Sequence, residues 1–280
     1  MSRRLIGTAI LGLSLAVCLA PGAWATATTN IDGVVVPVGL VPGGNQIQSG
    51  FLNESSVANV GDVLSGTGYV NAISLGTNIS DQTWANGQNG VMLAFAFTGY
   101  TVSSIVNPGA TTPGSVDFTG GTVNFYTLAA GTNLQTGSEA GDMAVVTSGT
   151  LWMSTTAAVE GANGTTLTAT LPPGDTAADI VNQASGFGYL DATGGPAGSV
   201  YHTGTFANPY DVGDVSDLSF TSDFSNAPAG SDFPISGSAT LKANTVPEPG
   251  AAAILATGVA LLGFVGMRRR RKGAGATTVG

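Results

Sequence analysis

Residues 90–106 read GVMLAFAFTGYTVSSIV. Leu93, Phe95 and Phe97 alternate with small residues, Ala94 and Ala96 among them, and a period of two is the signature of a strand with one buried face. The same alternation returns where Val123 and Phe125 interleave with Asn124 and Tyr126. Further runs rich in Thr, Val, Tyr and Phe occur at Asp62–Leu75, Gly121–Ala129, Met143–Thr155, Thr165–Leu171, Ser199–Ala207, Asp217–Ser225 and Ile235–Asn244. Asn107-Pro108-Gly109, Thr112-Pro113-Gly114, Pro172-Pro173-Gly174 and Gly194-Gly195-Pro196 punctuate them as turns. A short helix is expected only at Thr176–Ala184. Many short strands with frequent turn signals predict an all-β domain over residues 26–244, built as an antiparallel β-sandwich or jelly roll.

The charge of this middle segment is one-sided. Residues 26–246 hold sixteen carboxylates and one base, Lys242. Such a surface repels phosphate backbones, which argues against nucleic acid as a partner. Only 9% of the chain is charged, against roughly 25% in ordinary soluble domains. The single cysteine, Cys18, falls in the N-terminal segment, so the rest of the chain has no disulfide, no thiolate nucleophile and no cysteine metal ligand.

The seven other basic residues sit at the ends. Arg3 and Arg4 precede an apolar run, Leu5 to Leu19, which Pro21 and Gly22 close. Ala23-Trp24-Ala25 then offers small residues at the positions that signal peptidase reads. Residues 1–25 are expected to be a secretory signal peptide cleaved after Ala25. At the other end Val246-Pro247-Glu248-Pro249-Gly250 leads into an uncharged stretch, Ala251 to Met267, and then Arg268-Arg269-Arg270-Arg271-Lys272. Seventeen helical residues at about 1.5 Å each reach roughly 25 Å, the short end of a membrane span. Five consecutive bases hold that end in the cytoplasm by the positive-inside rule, which puts the middle segment outside. Pro247 and Pro249 keep the residues before them extended, so the helix begins near Gly250.

The triplet Pro247, Glu248 and Pro249, the apolar stretch and the terminal base cluster together resemble the PEP-CTERM sorting module of Gram-negative bacteria, over about residues 245–272. The tail at 273–280 departs from that pattern, since such chains commonly stop soon after the bases. The resemblance implies an exosortase as processing partner. It also implies transient single-pass insertion with a cytoplasmic C-terminus and final delivery to the cell surface or extracellular matrix, often beside exopolysaccharide. The stretch Phe118–Tyr126 is similar to β-rich domains that precede this module elsewhere, and it brings no catalytic residues with it.

Within the middle segment, catalytic constellations are not evident. His202, the only histidine, stands in Tyr201-His202-Thr203, and no Gly-x-Ser-x-Gly elbow is present to supply a nucleophile. Glycoside hydrolysis needs paired carboxylates, usually with aromatic sugar platforms, and here Trp84 and Trp152 are the available tryptophans. A carbohydrate-binding or carbohydrate-active module therefore expects one of them in an open groove. Asp211, Asp214 and Asp217, with Gly213 between them, have oxygen donors of the kind that bind Ca²⁺, but the expected reading is a solvated acidic loop leading into the strand Asp217–Ser225, with no cofactor. The spacing departs from the EF-hand loop. The expectation is a non-enzymatic structural or adhesive surface protein, serving in biofilm or flocculation.

Overall fold

The structure, a computed structural model, describes residues 27–76, 78, 80–174 and 184–246. The expected signal peptide (1–25), the triplet Pro247–Pro249, the span at 251–267, the base cluster 268–272 and the tail at 273–280 lie outside these residues, as does nearly all of the helix expected at Thr176–Ala184.

The long strand seen first in the sequence organises everything else. This strand, β6 (Val91–Val106), is sixteen residues long and has more length than any one partner uses. On one flank it pairs with β4 (Val63–Ser74). On the other flank, Val91–Thr98 pairs with β8 (Thr122–Ala129), while Thr101–Val106 pairs with β7 (Gly114–Thr119). β7 and β8 are thus two halves of one wall position, broken at Gly120-Gly121, where both residues take positive φ. The next position is split in the same way. β9 (Thr150–Ala158) pairs with β8, β10 (Thr165–Leu171) pairs with β7, and residues 159–164 step out of the wall between them. β11 (Ser185–Gly194) then spans both halves, pairing with β10 through Ser185–Gly188 and with β9 from Tyr189 onward.

β14 (Leu218–Asn226), β15 (Ile235–Ala243) and β3 (Asn45–Glu54) follow in order, and β3 returns to β4. The result is an antiparallel up-and-down barrel with eight wall positions. The fold is all-β as expected, but it is neither a sandwich nor a jelly roll. A sandwich requires two sheets with free edges. Here the two ends of one sheet find each other through β15 and β3, which leaves no edge in the ring. Register shifts at Gln48/Ser49/Phe51, Leu64/Gly66 and Val102/Ser104 supply the bulges that let such long strands coil.

Two expected strands are corrected. Met143–Thr155 begins as helix: α1 (Glu139–Thr147) is capped by Ser138, whose side chain accepts from the Gly141 N–H, and β9 starts only at Thr150. Ser199–Ala207 is mostly helix and loop, α2 (Gly198–Tyr201), with a two-residue strand β12 (Phe206–Ala207) paired to β13 (Val215–Ser216).

The alternation along β6 has a use on both faces. Leu93, Phe95 and Phe97 belong to the barrel core. Met92, Ala94 and Ala96 face outward and pack against Leu134 and against Val146 of α1, where small side chains let the helix approach. One end of the barrel is plugged by the hairpin β1 (Thr28–Ile31)–β2 (Val34–Pro37), by β5 (Gln82–Ala85) and by α2. Trp152 Nε1 donates to the Ile31 carbonyl at 3.0 Å. A column of aromatics, Phe95, Phe125, Trp152 and Tyr201, runs from the lumen into the plug, with successive centroids 5.8, 6.3 and 5.7 Å apart. Along β14 and β15 the wall faces water through Ser219, Thr221, Asp223, Ser225, Ser236 and Ser238, while Phe220, Ser222, Ala239 and Leu241 face in.

Candidate functional site

The barrel interior away from the plug encloses a cavity of about 60 Å³. Every wall position contributes to it: Leu52 and Glu54 from β3, Leu64 from β4, Phe97 and Tyr100 from β6, Val123 from β8, Leu167 from β10, Leu190 from β11, Ser222 and Phe224 from β14, Ala239 and Leu241 from β15. The lining is apolar with few exceptions, the chief one being Glu54. Period two along Leu52-Asn53-Glu54 sends Glu54 inward beside Leu52, and pairing fixes it opposite Gly66 and Ile235. It is 4% exposed, and burial holds its carboxyl well above the usual carboxylate range. Among the described residues nothing hydrogen-bonds to that carboxyl.

Tyr100 lines the same cavity, with its ring against Gly121 at the break between β7 and β8. Its hydroxyl is buried without a partner among the described residues. Burial, and secondarily the Glu160 carboxylate, raise its pKa above the ordinary phenol value. Glu160 itself is pushed up to about 7, first by burial and then by Asp117, against the opposing hydrogen bonds from Thr168. Asp117 is held on the outer wall by Ser104 and Thr168 hydroxyls at 2.8 and 3.2 Å. The carboxylates thus gather where the split strands leave the wall.

The acidic run at 211–217, with its Ca²⁺-type donors, is tied into the fold in another way. Asp217 is buried and accepts four hydrogen bonds. Thr203 N–H and Gly204 N–H, each at 2.7 Å, reach Oδ1, while Ala192 N–H and His202 Nδ1, each at 2.9 Å, reach Oδ2. Asp217 therefore fastens the segment after α2 to β11. His202 hangs from that knot with its own side chain 75% exposed, at the end of α2 rather than on a strand. Asp211 accepts from the Ser216 hydroxyl at 3.0 Å. It also stands beside Asp191, whose pKa rises to about 6 through burial and the Asp211 carboxyl. Asp214 lies on the surface with a positive φ. The three aspartates do not converge, and among the described residues no group of three or more acidic, histidine or cysteine side chains is placed to hold a metal.

Trp84 and Trp152 are both fully enclosed, so neither is available to stack on a sugar. No described helix is long and apolar enough to cross a membrane. The polar run Asn45-Gln46-Ile47-Gln48-Ser49 hides this strand in the sequence and Glu54 with it; the i, i+2 relation of Glu54 to Leu52 is the available signal. No family model, curated protein or solved structure matches the chain.

Proposed function

We propose that this chain is an exported surface or matrix protein, sorted and processed by an exosortase, whose barrel is a non-enzymatic body displayed outside the cell. The supporting observation is the join between barrel and sorting triplet. Thr245 donates its hydroxyl to the Pro37 carbonyl at 2.6 Å, and Val246 N–H donates to the Val200 carbonyl at 2.9 Å. The triplet begins at the next residue, Pro247. The folded body therefore runs up to the motif with no spacer, and cleavage there releases a complete barrel.

The wall chemistry agrees with this setting. A barrel embedded in lipid is apolar outside and polar within; this one carries Leu and Phe inside and, on β14 and β15, Ser and Thr on its outer face. An acidic, hydroxyl-rich exterior suits a structural or adhesive component in a hydrated matrix, where exopolysaccharide is the expected neighbour.

Intact mass of the protein recovered from its host's envelope and medium tests the proposal. A species beginning at Thr26 and ending near Pro247 is expected. A species confined to the inner membrane and still carrying residues 251–280 refutes the sorting step.

A further inference from the structure

Glu54 and the cavity are two unfavourable features in one place. A nine-tenths buried carboxyl without a partner forfeits the hydrogen bonds that it had in water. An unfilled space forfeits the contacts that a larger side chain would make there. Leucine at position 54 would remove the first loss, since it is apolar like Leu52, Leu64, Leu167, Leu190 and Leu241, which line the same space. The sequence instead keeps the acid, with the Ser222 hydroxyl on the same lining.

A ligand removes both losses if it has an apolar body and one group able to pair with the acid. A cavity of about 150 Å³ takes benzene, so a space of about 60 Å³ suits a body of about three carbons. A hydroxyl satisfies the acid in either protonation state, because it both donates and accepts. An ammonium would have to leave water for an apolar wall, and that loss of hydration opposes the gain from pairing. We propose that the lumen of the barrel binds a small neutral alcohol, with Glu54 holding its hydroxyl and the leucine wall holding its carbon chain.

The test is methyl NMR of the intact chain, titrated with 1-propanol or with propylamine. Variants and wild type are compared in the same micelles, so that partitioning into detergent cancels. The five lining leucines are expected to shift saturably with 1-propanol. Glu54→Leu is expected to weaken that binding about tenfold, the equivalent of one hydrogen bond. Glu54→Gln keeps a donor and an acceptor and should stay within about threefold of wild type, which covers the case in which Glu54→Leu fails to fold. Ala239→Leu fills the cavity and should abolish binding. Equal affinity in wild type and Glu54→Leu overturns the proposal, as does binding that survives Ala239→Leu. Tighter binding of propylamine than of 1-propanol overturns it in favour of a cation site. Shifts that never saturate overturn it in favour of a cavity that holds only water.

Discussion

Gly68→Ala tests how the barrel accommodates its aromatic lining. Gly68 in β4 lies directly across the ladder from Phe95 in β6, and the Phe95 ring covers the space that a Cβ would take. An added methyl would stand inside contact distance of the Phe51 carbonyl oxygen, with the Phe95 Cε1 at 3.0 Å. The carbonyl belongs to a strand fixed on both sides, and Phe95 is 3% exposed, so neither can step aside cheaply. Overpacking of this kind costs about 1–3 kcal/mol, and the backbone partner puts the expectation at about 2–4 kcal/mol. For a domain of this size that is a fall in Tm of about 5–15 °C, read by thermal melts in circular dichroism. Gly198→Ala in α2 is the control: it meets nothing within 4 Å and is expected to be neutral or slightly stabilising. Phe95→Leu in the Gly68→Ala background should recover part of the loss, giving a double-mutant cycle with a coupling of about 1 kcal/mol or more. A Gly68→Ala protein melting within 2 °C of wild type, or a strictly additive cycle, refutes the claim that ring and glycine share one space.

Asp217→Asn removes the charge and swaps one acceptor oxygen for a donor facing the Thr203, Gly204 and Ala192 N–H groups. It is expected to cost about 2–4 kcal/mol, with hydrogen exchange rising first at Thr203 and Gly204; unchanged exchange there contradicts the knot. Stability should also fall as pH rises. Glu160 (native pKa about 7) and Asp191 (about 6) hold their protons more tightly folded than unfolded, so their favourable contribution is complete below about pH 4 and is lost as pH passes through 6 and 7. With solvent screening this amounts to about 1–2 kcal/mol, and a Tm at pH 8 equal to or above that at pH 5 contradicts it.

The strands that sequence revealed are those whose own residues carry the pattern. Thr165–Leu171 and Val91–Val106 were legible because each alternates large apolar side chains with small or polar ones. β11 was not, because its inward positions include Gly186 and Gly188, and the bulk over them comes from Ser222 and Phe220 of the neighbouring strand. β3 was hidden by the polar run Asn45-Gln46-Ile47-Gln48-Ser49, which pairs on both sides and so needs little apolar content of its own. Closure into a barrel depends on the register of Ile235 against Glu54, a match between distant segments that no local period encodes. The aspartate cluster was visible as a cluster, but Asp217's partners are mainly backbone N–H groups that a loop delivers. Local pattern says which residues turn inward, and only the fold says what they meet there.

The pairing of β15 with β3 joins the last wall strand to the first. Until Ile235–Ala243 is in place, β3 and β14 each keep one ladder of N–H and C=O groups open, and an open ladder is a template for another chain. A chain cut short before Ile235 is therefore not a slightly weakened barrel but a sheet with two adhesive margins. Completion of the barrel wall and loss of those margins are the same event, and it falls four residues before Pro247.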